Sequence, residues 1–255
     1  MEIKMKKVLM AASLVMLLCT SCATNRAKGD AYSLLERGIA FVGRGDYETA
    51  IEDFNDAIKL DRRFFAAYIQ RGLAYAKIND YGSAIADYSR VVRFYRRSAA
   101  TYYYLGFAYH ARGGDKSDYR KAIESYNRAI KLNPYYGAAY TGRGDTNYDM
   151  GNYQSAVEDY TQAIRFDPNS STAYYNRGSA YYNKGDYKRA IESFTHALRL
   201  NPNSAKAYFN RGSAYRQTGD YSRAWVDFNR VLEIDPSNAK ARANLDIVWK
   251  LAQGH

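Results

Sequence analysis

The residues able to do covalent chemistry are few, and none is placed for catalysis. The 255-residue chain has three histidines, and His110, His196 and His255 stand too far apart to form a metal-ligand set. Both cysteines, Cys19 and Cys22, lie within the first 22 residues. The later chain therefore carries neither a disulfide framework nor a thiolate metal site. Gly113-Gly114-Asp115-Lys116-Ser117 lacks the spacing of a phosphate-binding loop, and no strand precedes it. No nucleophile or acid–base set converges, so no catalytic residue, metal or cofactor is expected and the chain reads as a non-enzyme. What remains is the chemistry of recognition. Asn176 and Asn210, each followed by Arg-Gly, are amides that can donate and accept at once to a main-chain amide. The 27 tyrosines, against 10 Phe and 2 Trp, offer large contact area at low entropic cost.

Cys22 invites a different chemistry, acylation. Residues 1–7 carry three lysines, and an apolar run from Val8 to Leu18 is broken only by Ser13. That run cannot span about 30 Å of hydrocarbon at about 1.5 Å per helical residue, and it fits a cleaved export signal. The stretch Cys19-Thr20-Ser21-Cys22-Ala23 resembles the lipobox of bacterial lipoproteins, with Ser21 as the small residue before the cut and Cys19 where Leu is usual. The resemblance implies a signal peptide over 1–21 and a diacylglyceryl, palmitate-type modification at Cys22. Residues 22–30 would form a short flexible tether. Ala23 lacks the Asp that retains many such proteins at the inner membrane, which favours the outer membrane, facing the periplasm. An ordinary secretion signal with two idle cysteines is the alternative. Removing 1–21 takes away three lysines and one glutamate, so the net charge falls from +11 to +9.

The elements that must position the recognition residues follow a fixed period. All four prolines, Pro134, Pro168, Pro202 and Pro236, are 34 residues apart, and Gly144, Gly178 and Gly212 share the period. Such a repeat signals a stacked architecture. It divides the chain into 31–64, 65–98, 99–136, 137–170, 171–204 and 205–238, the third with four extra residues in its inter-helix turn. In 171–204, Tyr174, Gly178 and Tyr181 share one face of a first helix. Gly185 supplies a left-handed stop and Asp186 an N-cap. Tyr187, Ala190, Ile191, Phe194, Ala197 and Leu198 form the stripe of a second helix, which Asn201-Pro202 ends. Gly178 opposite Ala190 is the expected close crossing. Arg62 and Arg96 replace the proline in the first two units, which predicts less sharply kinked junctions. Residues 239–255 read as a capping helix, with Ala243, Ile247 and Leu251 inward.

The stretch YYNRGSAYYNKGDYKRAIESF, 174–194, resembles the tetratricopeptide repeat (TPR) pattern of spaced aromatic, Gly, Tyr, Ala and Phe residues. The resemblance covers 31–238. It implies an all-α fold, a right-handed α-solenoid of six helix pairs plus the cap, with a concave wall of first helices that usually holds peptide segments. The expected wall begins apolar with Tyr32, Leu35, Ile39 and Val42, turns aromatic with Tyr103, Phe107 and His110, and ends mixed. Its later members are Asp145, Tyr148, Tyr175, Ser179, Tyr182, Phe209, Ser213 and Arg216, beside Asn176 and Asn210. Alternatively these aromatics cover one another and the asparagines are solvated. The carboxylate clamp of chaperone-binding relatives is not expected, because Thr141 and Asp145 stand where its cation and amide would be and only scattered parts such as Lys206 remain.

The units carry net charges of −2, +4, +3, −3, +3 and +1. The basic crest from Arg90 to Lys121 can meet anionic lipid, glycan or an acidic partner, or simply be a solvated face. The partner expected is another protein, through a peptide or helix, with membrane contact through the anchor and no nucleic acid. Self-association as a homo-oligomer is the second possibility.

Overall fold

In a computed structural model, residues 27–253 are described, and helix dominates them with no strand. Cys22, the lipobox and His255 lie outside the described residues. The helices are α1 (27–44), α2 (Tyr47–Leu60), α3 (Phe65–Lys77), α4 (Tyr81–Phe94) and α5 (Ala99–Arg112), then α6 (Lys116–Leu132), α7 (Gly137–Asp149), α8 (Tyr153–Phe166) and α9 (Ser171–Asn183). They continue as α10 (Tyr187–Leu200), α11 (Ala205–Gln217), α12 (Tyr221–Ile234) and α13 (Ala239–Ala252). Residues 27–30, expected as tether, already belong to α1.

The chain forms two compact units, one ending at Arg112 and one beginning at Gly113. In the first, Leu34, Phe41 and Val42 of α1 pack with Ala50 and Phe54 of α2 and Ala67 and Ala74 of α3. Helix α3 packs on α4, α4 on α5, and the first-type helices α3 and α5 also touch. In the second, α6 to α13 pack each on the next, and α9 touches both α7 and α11. This is nearest-neighbour stacking, in which each pair leaves an apolar face that the next pair covers.

Tight joints hold the pairs together. Gly45, Gly151, Gly185 and Gly219 take φ between 78° and 84°, and Asn79 takes φ 62° in the equivalent turn, so every A-to-B turn of this length uses a left-handed residue. Asp46, Asp80, Asp186 and Asp220 then accept a hydrogen bond from a backbone N–H in the first turn of the next helix. Asn152, at the equivalent place before α8, makes no such bond. The extra residues of the third unit do not simply widen its turn. They lengthen α6 to 17 residues, because Asp115 caps it by accepting from both Ser117 and Asp118.

At the expected close crossing a Cβ on Gly178 would lie 2.7 Å from the Phe194 ring, so the nearest group to the glycine is an aromatic face. The same pairing recurs for Gly38 with Phe54, Gly72 with Tyr88 and Gly144 with Tyr160, at 2.5 to 2.8 Å. The inter-repeat junctions at Arg62 and Arg96 are not loosened either. Helices α2 and α4 end at Leu60 and Phe94, in the same two-residue turn as the proline units. At the first of them Asp61 Oδ1 accepts from the Arg63 N–H, as Asn133 does for Tyr135 and Asn201 for Asn203. An Asx turn sets this geometry without proline.

The helix expected as a cap, α13, runs from Ala239 to Ala252 and is differently turned. Ala241 and Val248 are buried and Leu245 joins the Phe228 cluster, whereas Ile247 and Leu251 are exposed. Helix α13 continues the 34-residue frame as another first helix, so its inward positions repeat Ala207 and Ala214 of α11.

Candidate functional site: the wall of first helices

The structure of the second unit brings most of the predicted wall residues together, and it bonds them to one another. Asp145 Oδ1 accepts from Asn176 Nδ2 at 3.0 Å and from the Tyr160 hydroxyl at 2.7 Å. Burial, reinforced by the Asp145 charge, pushes the Tyr160 hydroxyl pKa well above the usual phenol value, so it stays a donor. Asn183 Nδ2 donates to the Tyr148 hydroxyl at 2.6 Å, Asn210 Nδ2 to the Tyr175 hydroxyl at 2.9 Å, and Arg216 Nη1 to Asn244 Oδ1 at 2.8 Å. These bonds join α7 to α9, α9 to α11 and α11 to α13. Each asparagine Nδ2 therefore gives one of its two hydrogens to the neighbouring helix, a fixing role that the Asn-Arg-Gly context did not reveal.

The rings divide in the same way. Tyr175 lies 5.7 Å from Phe194, Tyr182 5.3 Å from Tyr187 and Phe209 5.5 Å from Phe228, each half-buried. Leu35 and Ser213, expected on the wall, are buried, and Ser213 turns its hydroxyl back to the Phe209 carbonyl at 2.8 Å. In the first unit Phe107 is exposed and meets Tyr81 edge-on at 6.5 Å, while Tyr103 contacts Tyr104 at 5.5 Å, with His110 one turn beyond Phe107 on the same helix.

Part of the wall stays open. A cleft of about 460 Å³ is lined by Tyr175, Lys206, Phe209, Asn210, Asp235, Asn238 and Lys240. A smaller recess of about 120 Å³ adjoins it through Tyr175 and Lys206. Three of the predicted residues line the larger cleft: Tyr175, Phe209 and Asn210. Lys240 and Asn238 were not foreseen, although Lys240 lies one period of 34 after Lys206 and could have been found by extending the frame. Asp235 accepts from the Ser237 hydroxyl and Asn238 Nδ2, which lower its pKa and commit its carboxylate to the turn. The cleft thus presents two aromatic surfaces, a free amide oxygen on Asn210 and two ammonium groups.

Beneath the wall runs a second, structural ladder. Arg71 Nε and Nη2 donate to Asp87 at 2.8 and 2.6 Å, and its Nη1 reaches Asn55 of the preceding pair. Arg143 repeats this with Asp159 and Asn127, and Arg211 with Asp227 and Thr195. Arg37 pairs with Asp53 in the first pair. The guanidiniums of Arg71, Arg143 and Arg211 are planar forks that each bridge two helix pairs. Burial raises the pKa of Asp87, Asp159 and Asp227 against the pull of their arginines. In the fifth unit Ser193 stands in place of the Asp, and Arg177 reaches only its hydroxyl at 3.3 Å. Asn147, at a usual aromatic position, is buried and joins the ladder by donating to Asp159 at 3.1 Å.

Known proteins agree with this architecture. Models described as TPR repeat match residues 38–79, 115–151 and 144–185, and models described as tetratricopeptide repeat match 65–97 and 175–239. The chain belongs to the tetratricopeptide repeat family, whose members generally mediate protein–protein interaction. Among solved structures it is similar to MamA, at 29% identity and TM-score 0.61 over 69% of this chain and 94% of that one. It shares its fold with a TPR protein from Parabacteroides merdae ATCC 43184, at 20% identity and TM-score 0.70 over 89% of this chain and 88% of the other. It also shares it with YrrB, described as a TPR protein with an unusual peptide-binding site, at 20% identity and TM-score 0.64 over 76% of this chain and 97% of the other. No curated protein matches the chain.

Proposed function

We propose that the protein is a non-enzymatic scaffold that holds a peptide or helix of a protein partner against its first-helix wall, lipid-anchored at Cys22 in the bacterial cell envelope. The observation that carries the recognition part is the cleft of about 460 Å³ between Tyr175, Phe209, Asn210 and the two lysines. Aromatic rings with polar groups at their margin suit an extended peptide, since rings supply contact area and the amide oxygen takes a main-chain N–H. YrrB, a structural neighbour with a peptide-binding site, fits the same reading. The ladder of hydrogen bonds behind the wall holds the cleft in shape before a partner arrives, which reduces the ordering cost of binding.

Replacing Tyr175 and Phe209 by alanine together is expected to weaken partner capture from envelope extracts by at least about tenfold. Far-UV circular dichroism should stay largely unchanged. Undiminished capture by a folded double variant places the partner elsewhere. The anchor has its own test. Cys22→Ala should abolish acyl labelling and move the protein out of the detergent phase; persistence of either overturns the anchor. An outer-membrane site facing the periplasm goes with that reading.

A second reading, self-association, is favoured by the exposed apolar side chains Trp225, Val226, Ile247 and Trp249 on α12 and α13. Light scattering of the chain from Ala23 onward separates the two: a monomer supports the open scaffold, a dimer at micromolar concentration the oligomer.

A further inference from the structure

We propose that one edge of the first unit binds anionic lipid headgroups at a bilayer surface. The two inter-repeat turns of that unit differ from all later ones. Where the later turns carry Pro134, Pro168, Pro202 and Pro236, these carry the pairs Arg62-Arg63 and Arg96-Arg97. All four arginines are exposed, as is Arg93. Among the described residues none of the five forms an ion pair with a carboxylate. Asp61, in the first of these turns, is engaged by the Arg63 N–H.

Between the cations stand two largely exposed rings, one of them with the Arg93 guanidinium 6.0 Å from its centroid. Phe94 is 61% and Tyr95 57% exposed. The two turns form one surface, because Phe65 and Phe94 stack with ring centroids 6.0 Å apart. The chain enters the unit at the same edge, since Tyr32 in α1 lies 4.7 Å from Phe64.

This layering matches a bilayer interface. Arginines at phosphate level gain from the negative surface potential, and aromatic rings favour the headgroup region just beneath. An acidic protein would also satisfy the arginines, and soluble polyglutamate stands for it among the outcomes of the experiment. The inference stands apart from the peptide cleft, with which it shares no residue. It also adds to the anchor without needing it. Cys22 precedes α1 by five residues, a reach below about 20 Å even when fully extended. A basic patch is a common companion of a lipid anchor.

The test uses the unacylated chain from Ala23 onward, which keeps every described residue, in flotation with vesicles. Vesicles of phosphatidylcholine with phosphatidylglycerol should bind it, and phosphatidylcholine alone should not. Binding should fall steeply with salt. Changing Arg62, Arg63, Arg96 and Arg97 together to alanine should lower partitioning on the order of a hundredfold or more. Phe94→Ser with Tyr95→Ser should lower it roughly tenfold and leave the salt dependence. Changing the exposed Arg165 and Arg199 of the second unit should have no effect. The arginine variant should keep its melting temperature, because those side chains hold nothing in place. Indifference to phosphatidylglycerol, or wild-type binding by the arginine variant, overturns the proposal. So does binding of soluble polyglutamate through the same arginines without binding to vesicles, which assigns the edge to an acidic polypeptide instead.

Discussion

Arg71→Met is expected to cost about 3–5 kcal/mol of stability, because it leaves the Asp87 carboxylate buried without its partner. Asp87 is 6% exposed at its side chain and receives both forks of the guanidinium. Arg71 also ties α3 to Asn55 of the preceding helix pair, so the variant loses a joint between pairs as well. The loss should depend on pH, with a definite sign. Burial already holds the Asp87 pKa above its ordinary value, and without Arg71 it rises further. A carboxyl whose pKa is higher folded than unfolded binds more protons when folded, so stability falls as pH rises through the window between the two values. Lowering pH from 7 toward the ordinary carboxyl range should therefore recover part of the deficit of the variant. Replacing both partners, Arg71→Met with Asp87→Leu, should recover most of it at neutral pH, since a buried pair exchanged for apolar side chains is often neutral. Denaturant unfolding at several pH values reads all three outcomes. An Arg71→Met chain as stable as the wild type at pH 7 would mean that the ladder is decoration.

Phe194→Ala should be comparably costly, at about 3–5 kcal/mol, because the ring is fully buried between α9 and α10. Its sharper consequence is a reversal of sign at Gly178. In the wild type, Gly178→Ala gains helix propensity of about 1 kcal/mol. It also forces a methyl to 2.7 Å from the Phe194 ring, and overpacking of that kind costs about 1–3 kcal/mol. The net effect should be destabilising. With Phe194 already alanine the obstacle is gone, and Gly178→Ala should stabilise by up to about 1 kcal/mol. The four chains form a double-mutant cycle whose coupling term is the close approach itself. Additive effects would show that the glycine is kept for some other reason.

The reasons some features could be read beforehand and others not are visible in these same residues. Periodic Gly and Pro mark backbone conformation, and backbone conformation is local. Helix pairs, left-handed turns and Asp caps were therefore legible, and they hold at Gly185 and Asp186. Contact partners were harder. Gly178 was paired with Ala190 because small residues suggest backbone proximity, and the nearest group is a flat ring from the next turn of the same helix. The face of α13 was misjudged because Ile247 and Leu251 are apolar, whereas continuing the 34-residue frame would have selected Ala241 and Val248. The arginine ladder escaped notice although its members recur 16 residues apart, as Arg37 and Asp53, Arg71 and Asp87, Arg143 and Asp159. Charges look solvated until a spacing of that regularity is measured against the fold. Of the wall, the ring positions could be anticipated from the family pattern. The hydrogen bonds engaging Asn176 and Asn210 could not, because they depend on side chains 31 and 35 residues away.

The Asx turn between repeats separates scaffold from ornament. Since backbone hydrogen bonds and the Asp61 side chain set the bend at a junction without proline, the side chains of the two residues at its tip are excused from any duty to the fold. Such positions can drift, be grafted or be rewritten, and each rewriting changes what the rim of the array greets while its interior stays the same. In a protein assembled from copies, that freedom is how identical modules come to have different neighbours.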